Sequence, residues 1–397
     1  MPLRVAYILD RFPQPSETFI LNEIVSVMRH GHDCRIFSAY RPYAPPLHAA
    51  ARALVDGGRV KYLPSAGCVR RGCWLLGRLA GRPRGTYARL RALEGQGHLR
   101  WYATGALSLT RDVERYRADV LHAHFAAVGA QYAAGVHHWT GIPMTITAHR
   151  YDIFDLPPDN YPQLASMAAA LVTISQYNRR YLVDHFGVAD EKIRVIHCGV
   201  ETDVFAPPEK PRGGGGRCDI LCVATLVPVK GHRYLLDAVS ELRRSGVDCT
   251  LTLAGDGLER ADLERRAAER GLGSAVRFLG FQTQDQVRDL MRVCDMVVLP
   301  SLSEGIPVCL MEAMSCEAPV VATSVCGVPE LVTDRVTGLL VPPADAKAIA
   351  AAIRWVATHP VEAQAMGRRA RQQVAAQFDL SACTKQLIDL WQGACGA

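Results

Sequence analysis

Residues Leu299–Cys316 read L-P-S-L-S-E-G-I-P-V-C-L-M-E-A-M-S-C, a strand end, a loop and a helix in one short run. Asp295–Leu299 (D-M-V-V-L) is the kind of apolar run that a parallel sheet buries on both faces. Pro300 to Gly305 supply turn chemistry, and Pro307 stands where a first helical position is expected. The helix beyond is apolar on nearly every face, with Glu312 as its one charge among Val308, Cys309, Leu310, Met311, Ala313, Met314 and Cys316. Such a helix is expected to be buried, and a carboxylate inside it needs a polar partner. Glu304, in the loop before it, lies where free backbone N–H groups and the helix dipole make an anion site. Two carboxylates bracketing an anion site suit a ligand with both hydroxyls and phosphates. The plainer alternative is a solvated Glu304 and a Glu312 paired with a buried Lys or Arg.

A chain of 397 residues is too long for one ordinary core, so two domains are expected. With 49% apolar and 21% charged residues, the composition is that of a soluble globular protein. No run approaches the length of a membrane span, and Met1–Asp10 reads as a first strand, so a cytoplasmic location is expected. The 13 cysteines are scattered through apolar segments without zinc-ligand spacing, which favours reduced core thiols. No Asp-x-Asp motif occurs, and no metal or cofactor is called for.

The net charge of +6 is local: between Arg59 and Arg117 there are 13 Lys/Arg against 3 Asp/Glu. No nucleic-acid recognition motif accompanies this patch, so nucleic acid is set aside as a partner. Trp74, Leu75, Leu76 and Leu79 beside Arg70, Arg71, Arg78, Arg82 and Arg84 admit two readings. One is a basic amphipathic helix on an anionic membrane surface, giving a peripheral position on its inner face; the other is a solvated helical insertion.

Leu3–Leu9 is a first strand, and the following loop leads to a helix with Ser16 as N-cap and Gly31 as its stop. This strand–loop–helix start is that of a doubly wound sheet, which binds ligands beyond the carboxyl ends of its strands. Asp119–Phe125 and Met144–Thr147 are further strands; the second delivers A-H-R-Y-D, with His149 and Asp152 at its end. Asp152 is either part of a site or a cap for the loop. Pro207 to Gly216 is the clearest linker. Beyond it the pattern restarts: the strand Asp219–Ala224, the loop T-L-V-P-V-K-G-H at Thr225–His232, the strand Cys249–Leu253 with Gly255-Asp256-Gly257, and Val276–Leu279 with Gly280-Phe281. The expected domains are residues 1–205, a linker 206–217, residues 218–379, and a last helix 380–397 crossing back to the first domain.

S-E-G-I-P-V-C-L-M-E resembles the E-x7-E signature of the retaining family 4 glycosyltransferases, and T-A-H-R-Y-D resembles their T-x-H-x-x-D. P-S-E-T-F-I-L-N-E-I is similar to the opening of bacterial polysaccharide glycosyltransferases of the colanic acid and amylovoran type. The resemblance implies a GT-B fold, α/β with two Rossmann-like doubly wound domains facing across a cleft. It implies retaining, metal-independent hexosyl transfer from a nucleotide-diphosphate sugar to a glycan, lipid-linked or small-molecule hydroxyl acceptor. It carries His149 and Glu304 to the transferred sugar, Lys230 to the donor diphosphate and Glu312 to the ribose. Gly255 and Phe281 fall beside the nucleotide, and Gly305, Ile306, Pro307 and Val308 line the diphosphate, with the amides of this run as its donors. Lys230-Gly231 match the family loop, but Thr225 stands where an Arg is usual. Arg179 or Arg11 is the candidate to compensate. That departure keeps two alternatives in view, an idle nucleotide-sugar-binding subunit and a disaccharide phosphorylase of the same fold.

Overall fold

In the computed structural model of the protein, which describes residues 1–45, 47–63, 97–209 and 217–396, the chain forms two compact units. One comprises Met1–Ile196 together with Thr384–Ala397, the other His197–Cys383. Residues 64–96 lie outside the described residues, and with them Trp74 and the arginines of the expected basic amphipathic helix. Residues 210–216 of the linker also lie outside. Among the described residues no helix is long and apolar enough to cross a membrane.

The first unit runs β1 (Arg4–Arg11), α1 (Thr18–Arg29), β2 (Asp33–Tyr40), α2 (Ala49–Asp56), β3 (Val60–Tyr62), α3 (Gly97–Tyr116), β4 (Val120–His124), α4 (Val128–Thr140), β5 (Met144–Ala148), α5 (Tyr161–Met167), β6 (Ala170–Thr173), α6 (Gln176–Phe186) and β7 (Ile193–Val195). Its strands pair in parallel in the order β3-β2-β1-β4-β5-β6-β7. Every residue of β4, β5 and β6 is buried, as continuous apolar runs in an all-parallel sheet require. The expected cap at Ser16 is not what forms. The helix begins at Thr18, with Glu17 in the capping position and no side-chain cap bond.

The second unit runs β8 (Cys218–Val223), α7 (His232–Arg244), β9 (Cys249–Ala254), α8 (Arg260–Glu269), β10 (Val276–Gly280), α9 (Gln284–Val293), β11 (Met296–Leu299), α10 (Val308–Ser315), β12 (Val320–Thr323), α11 (Val328–Leu331), β13 (Leu339–Val341), α12 (Ala346–Thr358) and α13 (Pro360–Gln377). Its six strands are parallel in the order β10-β9-β8-β11-β12-β13. α10 is buried as its composition demands, among Leu299, Val320 and Val374. Pro307 takes extended backbone angles just outside it, one position earlier than expected.

The compact units divide at Ile196, whereas the linker composition pointed to about residue 205. The reason is local packing: Phe205 belongs to the core around α10, and its carbonyl accepts from the Ser315 hydroxyl at 2.7 Å. Arg371 donates to the carbonyls of Thr202 and Phe205, tying the segment further into the second unit. The last helix, α14 (Leu380–Gly396), holds the other division. From Thr384 on its residues count with the first unit, where Leu387, Ile388 and Trp391 complete a core with Tyr7, Leu9 and Ile36. Trp391 is fully buried and donates its indole N–H to the Thr145 hydroxyl at 2.9 Å.

Candidate active site

In the second unit the loop after β8 and the loop after β11 are stitched together. The Leu302 N–H donates to the Val229 carbonyl at 2.7 Å, and Gly231, at φ +67°, lets its backbone lie against the Pro300 carbonyl. This close approach brings Lys230 onto Glu304, Nζ to Oε1 2.6 Å. The Ser301 hydroxyl donates to the same carboxylate oxygen at 2.6 Å, and Thr323 in turn holds the Ser301 carbonyl. Glu304 is only 4% exposed, so it is a held carboxylate and not a solvated loop residue. Gly305, Ile306 and Pro307 are buried beside it, and Val308 is half-buried. Among the described residues no backbone carbonyl takes the N–H of Gly305, Ile306, Val308 or Cys309. These are the donors that the start of a helix leaves over for an anion.

Gly255 sits at φ +152° with its backbone pressed on the Ala224 carbonyl, and its N–H donates to the Gly280 carbonyl at 2.9 Å. Thr225 follows, half-buried, and Phe281, 45% exposed, follows Gly280. The strand ends of β8, β9 and β10 are thus gathered at one edge of the sheet, the carboxyl edge where doubly wound folds bind ligands.

Glu312 is 6% exposed, and burial pushes its carboxyl up to about 8, against which a hydrogen bond from Gln284 acts weakly. Its polar neighbour is thus an uncharged amide, and not the Lys or Arg of the plainer reading. At pH 7 the group is mostly protonated. The unfolded chain gives up this proton near pH 4.5 and the folded chain only near 8, so stability falls as pH rises through that window. Glu312→Gln is expected to remove that fall, roughly 4–5 kcal/mol in full. Urea unfolding at pH 5, 6.5 and 8 checks it: the wild-type midpoint drops more steeply between pH 5 and 8 than the variant's.

In the first unit His149 follows β5 and is 5% exposed. Burial, then the neighbouring His124 and His122, hold its imidazole well below the ordinary histidine value, so it is neutral. Its Nε2 lies 3.0 Å from Nδ1 of His124, whose Nε2 lies 3.1 Å from Oε1 of Glu23. The rings of Phe19 and Phe125 flank His149, with centroids at 4.6 and 4.8 Å. Asp152 is fully buried and accepts from the N–H groups of Ala126 and His149, both at 2.8 Å, and from the Tyr161 hydroxyl at 3.0 Å. Burial lifts it to about 6, and its contacts are those of a loop clamp. Arg179 forks onto Asp190 at 2.6 Å on each arm, and Arg11 lies over the Tyr43 ring, so both proposed compensating cations already have partners.

Glu23, His122 and His124 bring one donor atom each within 4.8 Å of one another, a convergence that the sequence reading missed. Glu23 sits on α1, about a hundred residues before β4, so no local pattern links them. The signal that was available is H-A-H at His122–His124, two histidines on one face of a strand.

Residues 16–204 match the family described as Glycosyltransferase Family 4, and residues 208–373 the one described as Glycosyl transferases group 1. WcaL of Salmonella typhimurium, named for colanic acid biosynthesis, is 29% identical over 98% of this chain and 100% of its own. The amylovoran biosynthesis glycosyltransferase AmsK of Erwinia amylovora is 26% identical over 98% of this chain and 99% of its own. Anabaena HepE, solved in complex with UDP-glucose, shares the fold with a TM-score of 0.74 at 18% identity, covering 98% of this chain and 100% of that one. The chain therefore has the GT-B fold, its first half matching the Glycosyltransferase Family 4 model and its second half the Glycosyl transferases group 1 model, and is similar along nearly its whole length to glycosyltransferases named for colanic acid and amylovoran biosynthesis.

Proposed function

We propose that the protein is a retaining glycosyltransferase of polysaccharide or glycoconjugate biosynthesis, moving a hexose from a nucleotide-diphosphate sugar to a hydroxyl of a glycan or lipid-linked acceptor. The observation that carries this reading is the Lys230–Glu304 pair at 2.6 Å beside the open amides at the start of α10. The donor diphosphate takes Lys230 away from Glu304, and Glu304 turns its freed lone pairs to hydroxyls of the sugar. Gly305, Ile306 and Val308 add amide donors to the phosphates, and Glu312 meets the ribose. Gly255 and Phe281 border the nucleotide, with the Thr225 hydroxyl in reach of the phosphates. In the first unit, His149 is the residue assigned to sugar hydroxyls.

In the reaction the bond from the anomeric carbon to the diphosphate oxygen breaks with its electron pair going to the phosphate. The acceptor oxygen bonds to that carbon from the same face, and its proton passes to the departing phosphate. Charge grows on the diphosphate as the bond breaks, so Lys230 and the amides bind the transition state more tightly than the donor, which is what turns binding into rate. A resident metal has no part in this scheme. UDP-glucose is the donor to try first, because the similar HepE was solved with it.

The test is a thermal-shift screen with UDP, GDP, ADP, dTDP and their sugar conjugates, with and without magnesium. A bound nucleotide raises stability as RT ln(1 + [L]/Kd), so a selective rise names the base. The same rise is expected to shrink in Glu312→Ala, measured against that variant's own unliganded midpoint. A protein that no nucleotide stabilises, and that releases sugar phosphate from a disaccharide with phosphate, is a phosphorylase instead.

A further inference from the structure

The register of the first sheet assembles a cluster that the proposed reaction does not use. Tyr7 on β1 pairs with His122 on β4, His122 pairs with Thr145 on β5, and His124 pairs with Thr147. His122 and His124, two residues apart on one strand, turn to the same face, and α1 brings Glu23 onto them. The His122 side chain is fully buried and that of His124 is 1% exposed, while Glu23 keeps 13% of its side-chain surface open.

The spacing suits ligands around one ion. Oε1 of Glu23 lies 3.1 Å from Nε2 of His124 and 3.5 Å from Nε2 of His122, which in turn lies 3.2 Å from Thr147 Oγ1. A charge-assisted hydrogen bond closes to about 2.7–2.9 Å. Nitrogen and oxygen ligands about 2.0–2.2 Å from a tetrahedral zinc stand about 3.3–3.6 Å apart. All three donor atoms lie within 4.8 Å of one another, and small turns of the two rings and of the Glu23 side chain close the widest span. The protonation of His124 does not enter, because an ion replaces whatever proton Nε2 of either ring carries.

The groups behind these ligands are in place as well. With Nε2 on an ion, each ring carries its proton on Nδ1, and each Nδ1 has an acceptor: Thr145 Oγ1 at 2.8 Å for His122, and Nε2 of His149 at 3.0 Å for His124. Thr145 keeps a second lone pair for the Trp391 indole at 2.9 Å. The Tyr7 hydroxyl donates to Oε1 of Glu23 at 3.0 Å and holds the carboxylate. Tyr7 also stacks on His124 with planes 7° apart, and the Trp391 ring stands edge-on to His122 at 5.1 Å, so both imidazoles are fixed.

We propose that Glu23, His122 and His124 form a binding site for a first-row divalent ion, zinc foremost, with a water held by Thr147 as the fourth ligand. Two imidazoles and one carboxylate suit zinc, cobalt or nickel, whereas magnesium and calcium take oxygen ligands. The ion ties α1 to β4 inside the first unit and takes no part in the transfer proposed above. The site therefore stands or falls separately from the glycosyltransferase reading.

The experiment uses untagged full-length protein, stripped with a chelator and then loaded with zinc or cobalt(II). One equivalent is expected to stay bound through gel filtration and to raise the unfolding midpoint. The cobalt form is expected to show d–d bands without sulfur charge transfer, since none of the three ligands is a thiolate. Glu23→Gln and His122→Gln are each expected to weaken binding by more than the about 10- to 100-fold that loss of an outer partner costs. Should both variants fail to fold, X-ray absorption of the zinc-loaded wild type decides alone: two imidazoles with oxygen and no sulfur support the site. Wild-type protein that retains no ion after loading overturns the proposal. An ion held equally well by both variants, or one with sulfur among its ligands, overturns it too, by placing the metal elsewhere on the chain.

Discussion

Lys230→Ala is expected to lower turnover by about 100- to 1,000-fold, the usual cost of removing one donor from a site where charge develops. Among the described residues the lysine is the single cation paired with Glu304, and the amides at the start of α10 cannot move to replace it. Stability is affected in the same direction, since Glu304 stays buried with Ser301 as its remaining partner. Glu304→Ala is expected to reach a similar loss of rate by another route, freeing Lys230 but removing the contact to sugar hydroxyls. Comparing the two separates the roles: Lys230→Ala should weaken binding of the bare nucleoside diphosphate, whereas Glu304→Ala should weaken only the sugar conjugate. Near-wild-type turnover in both variants, measured by transfer and by donor hydrolysis, would remove this pair from the chemistry.

Gly231→Ala is expected to be among the more damaging single methyls in the second unit. A Cβ there would stand 2.1 Å from the Pro300 carbonyl oxygen, and backbone cannot swing aside as the end of a flexible side chain can. The left-handed φ of +67° adds its own cost. Relieving the clash means parting the two loops that bring Lys230 to Glu304, so activity and stability should fall together, the latter by about 3 kcal/mol or more. Gly246 is the control. Its φ is +85° but nothing lies within 4 Å of an added Cβ, so Gly246→Ala should cost only about 1 kcal/mol and leave turnover unchanged. Urea midpoints and transfer rates of the two variants check this. Equal midpoints would show that the Pro300 contact is not a constraint.

The parts of this protein that could be read from sequence are those whose physics is local. Parallel strands such as Met296–Leu299 and Met144–Ala148 announce themselves as short apolar runs because both faces are covered. Glu304 and Glu312 stand out because a carboxylate in or beside an apolar helix has to be explained. What stayed hidden depends on contacts between distant segments. Gln284 as the neighbour of Glu312 comes from the helix before β11, and nothing in either segment marks the pair. Glu23 falls at helical spacing with Phe19, Ile20, Ile24, Val27 and Met28 on α1, and only the β1–β4 pairing carries His122 and His124 to it. The division at Ile196 was missed for the same reason: composition flags the linker, but the packing of Phe205 decides which unit the segment joins.

The burial of Trp391 among Tyr7, Leu9 and Ile36 has a consequence for biosynthesis. During translation, residues 1–196 leave the ribosome long before Thr384–Ala397 exist, yet one face of their sheet is finished only by that tail. Until then the nascent first unit exposes the apolar surface that Leu387, Ile388 and Trp391 will cover, a surface that chaperones recognise. The second unit, by contrast, emerges as one uninterrupted stretch from His197 to Cys383. Maturation of the half that appears first thus waits for the half that appears second, and a chain cut before Leu387 would be left with its earliest-made domain unfinished.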